Sequence, residues 1–97
     1  MTYEYAEKKL DDLFNRSLEE IDRIDQMIEP DADWLDQTLW AARKERVVGE
    51  YIAAARVVIE IYIETTMGDT NWRELHTIQW RNAEKLSIEI KASTKKD

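Results

Sequence analysis

The stretch Arg56-Val57-Val58-Ile59-Glu60-Ile61-Tyr62-Ile63-Glu64 decides how the rest of the chain is read. From Ile59 to Glu64 it alternates residue by residue, the period of a half-buried strand, and its β-branched content suits a strand as well. Leu86-Ser87-Ile88-Glu89-Ile90-Lys91 repeats the pattern. A longer frame reads differently. Leu35, Leu39 and Ala42, then Val48, Ile52, Ala55, Ile59, Tyr62 and Thr66, keep the helical period, with Gly49 a possible kink. On a helix, Val57 to Ile63 is apolar nearly all round, and Arg56, Glu60 and Glu64 form its one polar stripe, as for the central helix of a bundle. Two strands joined by one helix make only a parallel pair, too small a sheet unless another chain completes it. The expected fold is therefore an all-α three-helix bundle with a long central helix, self-associating. A small α+β dimer with strands near 57–65 and 86–92 is the alternative.

Pro30 and the cluster Met67-Gly68-Asp69-Thr70-Asn71 are the breaks on either side of that segment. Before Pro30, Leu10, Phe14, Ser17, Ile21, Ile24 and Ile28 recur at steps of four and three, widened by Leu13, Leu18 and Met27. Glu4 with Lys8, Asp12 with Arg16 and Glu19 with Arg23 place acid before base four residues apart, which supports an exposed helix. Asp31 or Asp33 is suited to cap the second helix, and Asp36 complements the positive end of its dipole. Gly68 suits a left-handed cap, and Asn71-Trp72-Arg73-Glu74 has capping-box spacing. The third helix then carries Trp72, Leu75, His76, Gln79, Ala83, Leu86 and Ile90 on one side. These signals predict helices over about 3–29, 33–66 and 71–91, one domain over 1–92, and a frayed tail over 93–97.

At 97 residues there is room for one domain, and two Gly with one Pro leave too little turn chemistry for an all-β fold. The chain has no Cys, so neither a disulfide nor a thiolate chemistry is available, and a reducing compartment is expected. The first residues carry acids and no apolar core of a signal peptide, and no apolar run approaches the ~18 residues of a membrane span. A cytoplasmic protein without membrane association is expected.

The net charge of −7 is unevenly placed. Residues 1–36 hold twelve acids and four bases, net −8, and the remainder is net +1. An opening helix roughly 40 Å long presents carboxylates at spacings comparable to backbone phosphates. It suits the basic groove of a nucleic-acid-handling protein, as inhibitors of phage or mobile-element type and antitoxins do. The plain alternative is a solvated face that keeps a small protein soluble. Direct nucleic-acid binding is not expected, since the densest basic group, Arg43-Lys44-Glu45-Arg46, is interrupted by an acid.

Catalytic constellations are scarce. His76 is the only histidine, so a zinc site of usual composition cannot be assembled in one chain. Trp72, His76 and Trp80 share a stripe suited to an aromatic ligand, although packing in a core or subunit interface is the reading such spacing favours. Glu60 and Glu64, with Glu45 and Glu50 upstream, raise a magnesium-dependent nucleotide hydrolase as the one enzymatic alternative; Arg56 beside Glu60 favours an ordinary ion-paired stripe. Ser17, Ser87 and Ser93 lack a base, and Gly49 and Gly68 cannot form a phosphate loop. No cofactor or metal is expected.

Protein binding is the reading that remains. Tyr3, Tyr5, Trp34, Trp40 and Tyr51 exceed what one small core can enclose, and aromatic anchors are enriched at interfaces. The expected function is a non-catalytic acidic binding module contacting a basic partner through Asp11, Asp12, Glu19, Glu20, Asp22, Asp25, Trp34 and Trp40. A homodimer through the seam from Leu10 to Ile28 is expected too. A structural subunit of a larger assembly is the third possibility.

Overall fold

The computed structural model describes residues 1–67 and 69–94. Three helices follow one another: α1 (Tyr3–Met27), α2 (Trp34–Thr66) and α3 (Trp72–Thr94). Each packs on both others, in a rod of 53 × 17 × 16 Å. Among the described residues there is no strand, and both alternating segments lie inside helices. The reason lies in which residues are buried. Ala55, Ile59 and Tyr62 on α2, and Ala83, Leu86 and Ile90 on α3, go inward at steps of three and four. The out-of-phase residues Val57, Ile61, Ile63 and Ile88 stay exposed. Alternation here marks two helix faces, and the expected all-round burial of α2 does not occur, because a helix with two neighbours keeps an outward side.

The caps follow elementary donor bookkeeping. Thr2 Oγ1 accepts the Tyr5 N–H at 3.1 Å, and Asp33, rather than Asp31, accepts the Asp36 N–H at 2.8 Å. Met67 itself adopts the left-handed conformation at φ 50° that ends α2. Gly68, the expected cap, lies outside the described residues. At the start of α3 the Asn71 N–H donates to Asp69 Oδ1 at 2.9 Å, while the Glu74 carboxylate accepts the Tyr3 hydroxyl at 3.1 Å. The expected capping box is thus replaced by a tie between α3 and α1. α2 passes through Gly49 unbroken, and α3 extends to Thr94, two residues into the tail expected to fray. Positions 95–97 lie outside the described residues.

The core holds more polar chemistry than the composition suggests. Tyr51, 2% exposed, meets Phe14 of α1 edge-on at 6.4 Å, and its hydroxyl accepts from Asn82 of α3 at 2.9 Å. Gln79 Nε2 donates to the Ile52 carbonyl at 2.9 Å. Lys44, 1% exposed, forms an ion pair with Asp25 of α1. These bonds meet the requirement that buried polar groups keep partners. Two expectations fall here. Tyr51 is a core residue, not an exposed anchor, and Tyr3 packs edge-on against Tyr62 at 6.2 Å. The seam from Leu10 to Ile28 is spent within the chain: Leu10, Ser17, Ile21 and Ile24 are buried against α2 and α3, which removes the expected route to a homodimer.

Candidate functional site

α1 does not present its six named carboxylates as one open ridge. Asp11, Glu19 and Asp22 are exposed. Asp12 is half-buried beside Leu13, in a groove that α1 shares with Ala54, Val57 and Val58 of α2 and that Lys9 and Arg16 edge. Glu20 takes the Arg23 guanidinium at 2.7 Å, and Asp25 is committed to Lys44. Neutralisation by the chain's own bases therefore removes Asp25 from the expected partner-binding set and weakens Glu20. With Glu4, which is exposed as well, Asp11, Glu19 and Asp22 lie on the outward side by helical spacing.

A second acidic region lies where α1 hands over to α2. A surface depression there is lined by Met27, Glu29, Asp31, Ala32, Asp33, Asp36 and Trp40. Trp34, at the first turn of α2, is 76% exposed, and Leu35, Leu39 and Met27 are each at least half exposed. Trp40 is half-buried, with the Arg43 guanidinium 4.7 Å above its ring, a cation–π contact. Of the two expected tryptophan anchors, Trp34 is open to a partner, and Trp40 forms part of the wall. An acid-lined depression and exposed apolar side chains at one end of the bundle are chemistry for a partner that combines apolar side chains with Lys or Arg.

The aromatic stripe of α3 does not form a ligand slot. Trp72 and His76 touch edge to face at 5.6 Å, so no flat ring fits between them. His76 Nδ1 lies 3.1 Å from Gln79 Oε1, and Gln79 uses its amide N–H on the Ile52 carbonyl, so Nδ1 is the nitrogen that donates. Trp80 stands apart on the outer side, 56% exposed. Glu45, Glu50, Glu60 and Glu64 are all exposed on α2 rather than converging inward. Among the described residues, no three His, Cys, Asp or Glu side chains are grouped so as to hold a metal ion. Nor is any helix of those residues long and apolar enough to cross a membrane.

Three tyrosines are held in the neutral form. Burial, then the bond to Glu74, pushes the Tyr3 hydroxyl from 10.0 up to about 12. Burial also raises Tyr51, against a smaller opposing effect of the Asn82 bond, and burial followed by the bond to Asp69 raises Tyr62. Asp69 is lowered in turn, by the Asn71 backbone N–H first and the Tyr62 hydroxyl second. A raised phenol keeps its proton longer in the folded chain, so the stability it contributes is whole below pH 10 and lost as pH climbs towards 12. The urea midpoint is expected to hold up to pH 10 and fall above it. Absorbance of phenolate at alkaline pH should show three tyrosines ionising together with unfolding; loss of structure without late-ionising tyrosines contradicts this assignment.

No family model matches the chain, and neither a curated protein nor a solved structure shows significant similarity to it.

Proposed function

We propose that the chain is a non-catalytic, cytoplasmic protein-binding module that engages a basic partner through the α1–α2 end of the bundle and the outward carboxylates of α1. The exposed indole of Trp34 carries this reading: it stands in the first turn of α2, a helix that also exposes Leu35 and Leu39, at the same end of the bundle as the depression lined by Met27, Glu29, Asp31, Asp33, Asp36 and Trp40. A lone exposed apolar side chain needs no explanation, but four at one end of a small bundle, one of them aromatic, do. Trp is the residue type most enriched at the energetic centre of interfaces, and a rim of one charge sign selects the complementary partner. A partner that handles nucleic acid offers the right surface, and occupation of its basic groove by this end of the bundle inhibits it by exclusion.

Two variants test the proposal. Trp34→Ala removes the anchor from a site where it supports nothing else, and Asp31→Lys with Asp36→Lys reverses the rim while sparing the Asp33 cap. In capture from the native host, a protein retained by the wild type is expected to be lost with both. Its affinity should fall roughly thirtyfold or more for Trp34→Ala, as for a residue at an interface centre, and decline with added salt. Equal retention by all three chains at low salt refutes this assignment.

A further inference from the structure

We propose that the outward face of α2 is a self-complementary surface on which a second copy of the chain docks antiparallel. This face is separate from the acidic end that binds a partner, except that Leu39 lies near both. Leu39, Val57 and Ile61 expose 55%, 53% and 41% of their surface along it, on the side of α2 turned away from the core, with Val57 at the edge of the groove shared with α1. Between the apolar positions the charges are ordered. Arg43 and Arg46 occupy the first half of the face, Glu60 and Glu64 the second, with Glu50 between them, and all five are exposed.

That order identifies the occupant. If two α2 helices run antiparallel about an axis at Ala53, residue numbers facing each other add to about 106. Arg46 then meets Glu60 of the other copy, and Arg43 meets Glu64, each pair twice because the arrangement is two-fold. A parallel arrangement sets Arg46 against Arg46 and Glu60 against Glu60, which repels. Arg46 already leans on Glu50 at 3.5 Å, an exposed contact between largely solvated groups that yields readily. Near the axis, Ala53 is exposed and a side chain added at Gly49 would meet nothing within 4 Å, so bulk there does not hold the helices apart. With that axis residues 40–66 of the two helices overlap, a face ~40 Å long at about 1.5 Å per residue and ~12 Å broad, or on the order of 500 Å² per copy. Two copies bury about 1,000 Å², below the range of stable specific interfaces and within that of weak, transient ones, which places the dimer at the micromolar end or weaker.

Charge exchange provides the test. In sedimentation velocity from micromolar to near-millimolar concentration, wild type is expected to pass from monomer to dimer. The double variant Arg43→Glu, Arg46→Glu and the double variant Glu60→Arg, Glu64→Arg should each dimerise at least about tenfold more weakly, since like charges then face each other. Mixed together, the two should recover a dimer, because acids of one now meet arginines of the other along the whole face. Net charge alone predicts otherwise: from −7 the first variant moves to −11 and the second to −3, so the second by itself should associate best. The absence of cysteine allows an independent check: Ala53→Cys chains should be linked by a short bismaleimide, and Thr77→Cys chains, on the outer side of α3, should not. Monomeric wild type throughout the range, a mixture that stays monomeric, or equal linking at 53 and 77 would overturn the proposal.

Discussion

Tyr51→Ala is expected to leave the chain without a cooperative thermal transition, or with one at least 20 °C lower. Tyr51 is the residue at which all three helices meet: it sits on α2, its ring abuts Phe14 of α1, and its hydroxyl receives Asn82 of α3. Removing a buried aromatic side chain costs about 3–5 kcal/mol through lost burial and the cavity left behind. The Asn82 amide, itself buried, also loses its acceptor, at a further cost of about 1–3 kcal/mol. A domain of 97 residues has only about 5–15 kcal/mol in total. Tyr51→Phe separates the two contributions, since it keeps the ring and removes only the acceptor, and its melting temperature should drop by roughly 5–15 °C. An alanine variant that melts within a few degrees of wild type is incompatible with Tyr51 at the junction.

The second large effect is an asymmetry between two ends of one ion pair. Asp25→Ala takes the carboxylate from a Lys44 ammonium that is 1% exposed, and stability should fall by about 3 kcal/mol, the low end for breaking a buried pair. Lys44→Met removes the ammonium instead. The Asp25 side chain, 30% exposed, then regains water, and the methionine fills the same space, so this variant should lie within about 1 kcal/mol of wild type. Combining both should recover most of what Asp25→Ala loses. Urea denaturation of the three variants reads the result directly; equal losses for the two single variants would falsify the asymmetry and place Lys44 in contact with solvent.

Lys44 also shows where the one-dimensional reading stops. The group Arg43-Lys44-Glu45-Arg46 reads as solvated charge, yet position 44 continues the inward series of Val48, Tyr51, Ala55, Ile59 and Tyr62 at helical spacing. That spacing was the available signal, and the charge of the residue masked it. Asn82 is comparable, buried on α3 with its amide on the Tyr51 hydroxyl, whereas Gln79, also buried and bonded to α2, lies on the side of α3 that the spacing already assigns inward. In sequence Asp25 is indistinguishable from the other acids of α1, because composition does not reveal which carboxylate finds a buried cation. The exposure of Trp34, by contrast, is legible in the sequence, since the aromatic residues exceed what one small core can enclose.

Periodicity, two breaks and the absence of turn chemistry by themselves determined three helices, their order and nearly all of their ends, because the hydrogen bonds and caps of a helix are local. Which apolar residues stay outside was decided only when the helices met. Leu10 to Ile24 and Val57 to Ile61 are both apolar rows at helical spacing, and nothing within either row says that the first is enclosed by two neighbours and the second faces outward. Burial is a property of three bodies packed together, and it also determined that Asp25 serves the core while Asp11, Glu19 and Asp22 remain at the surface.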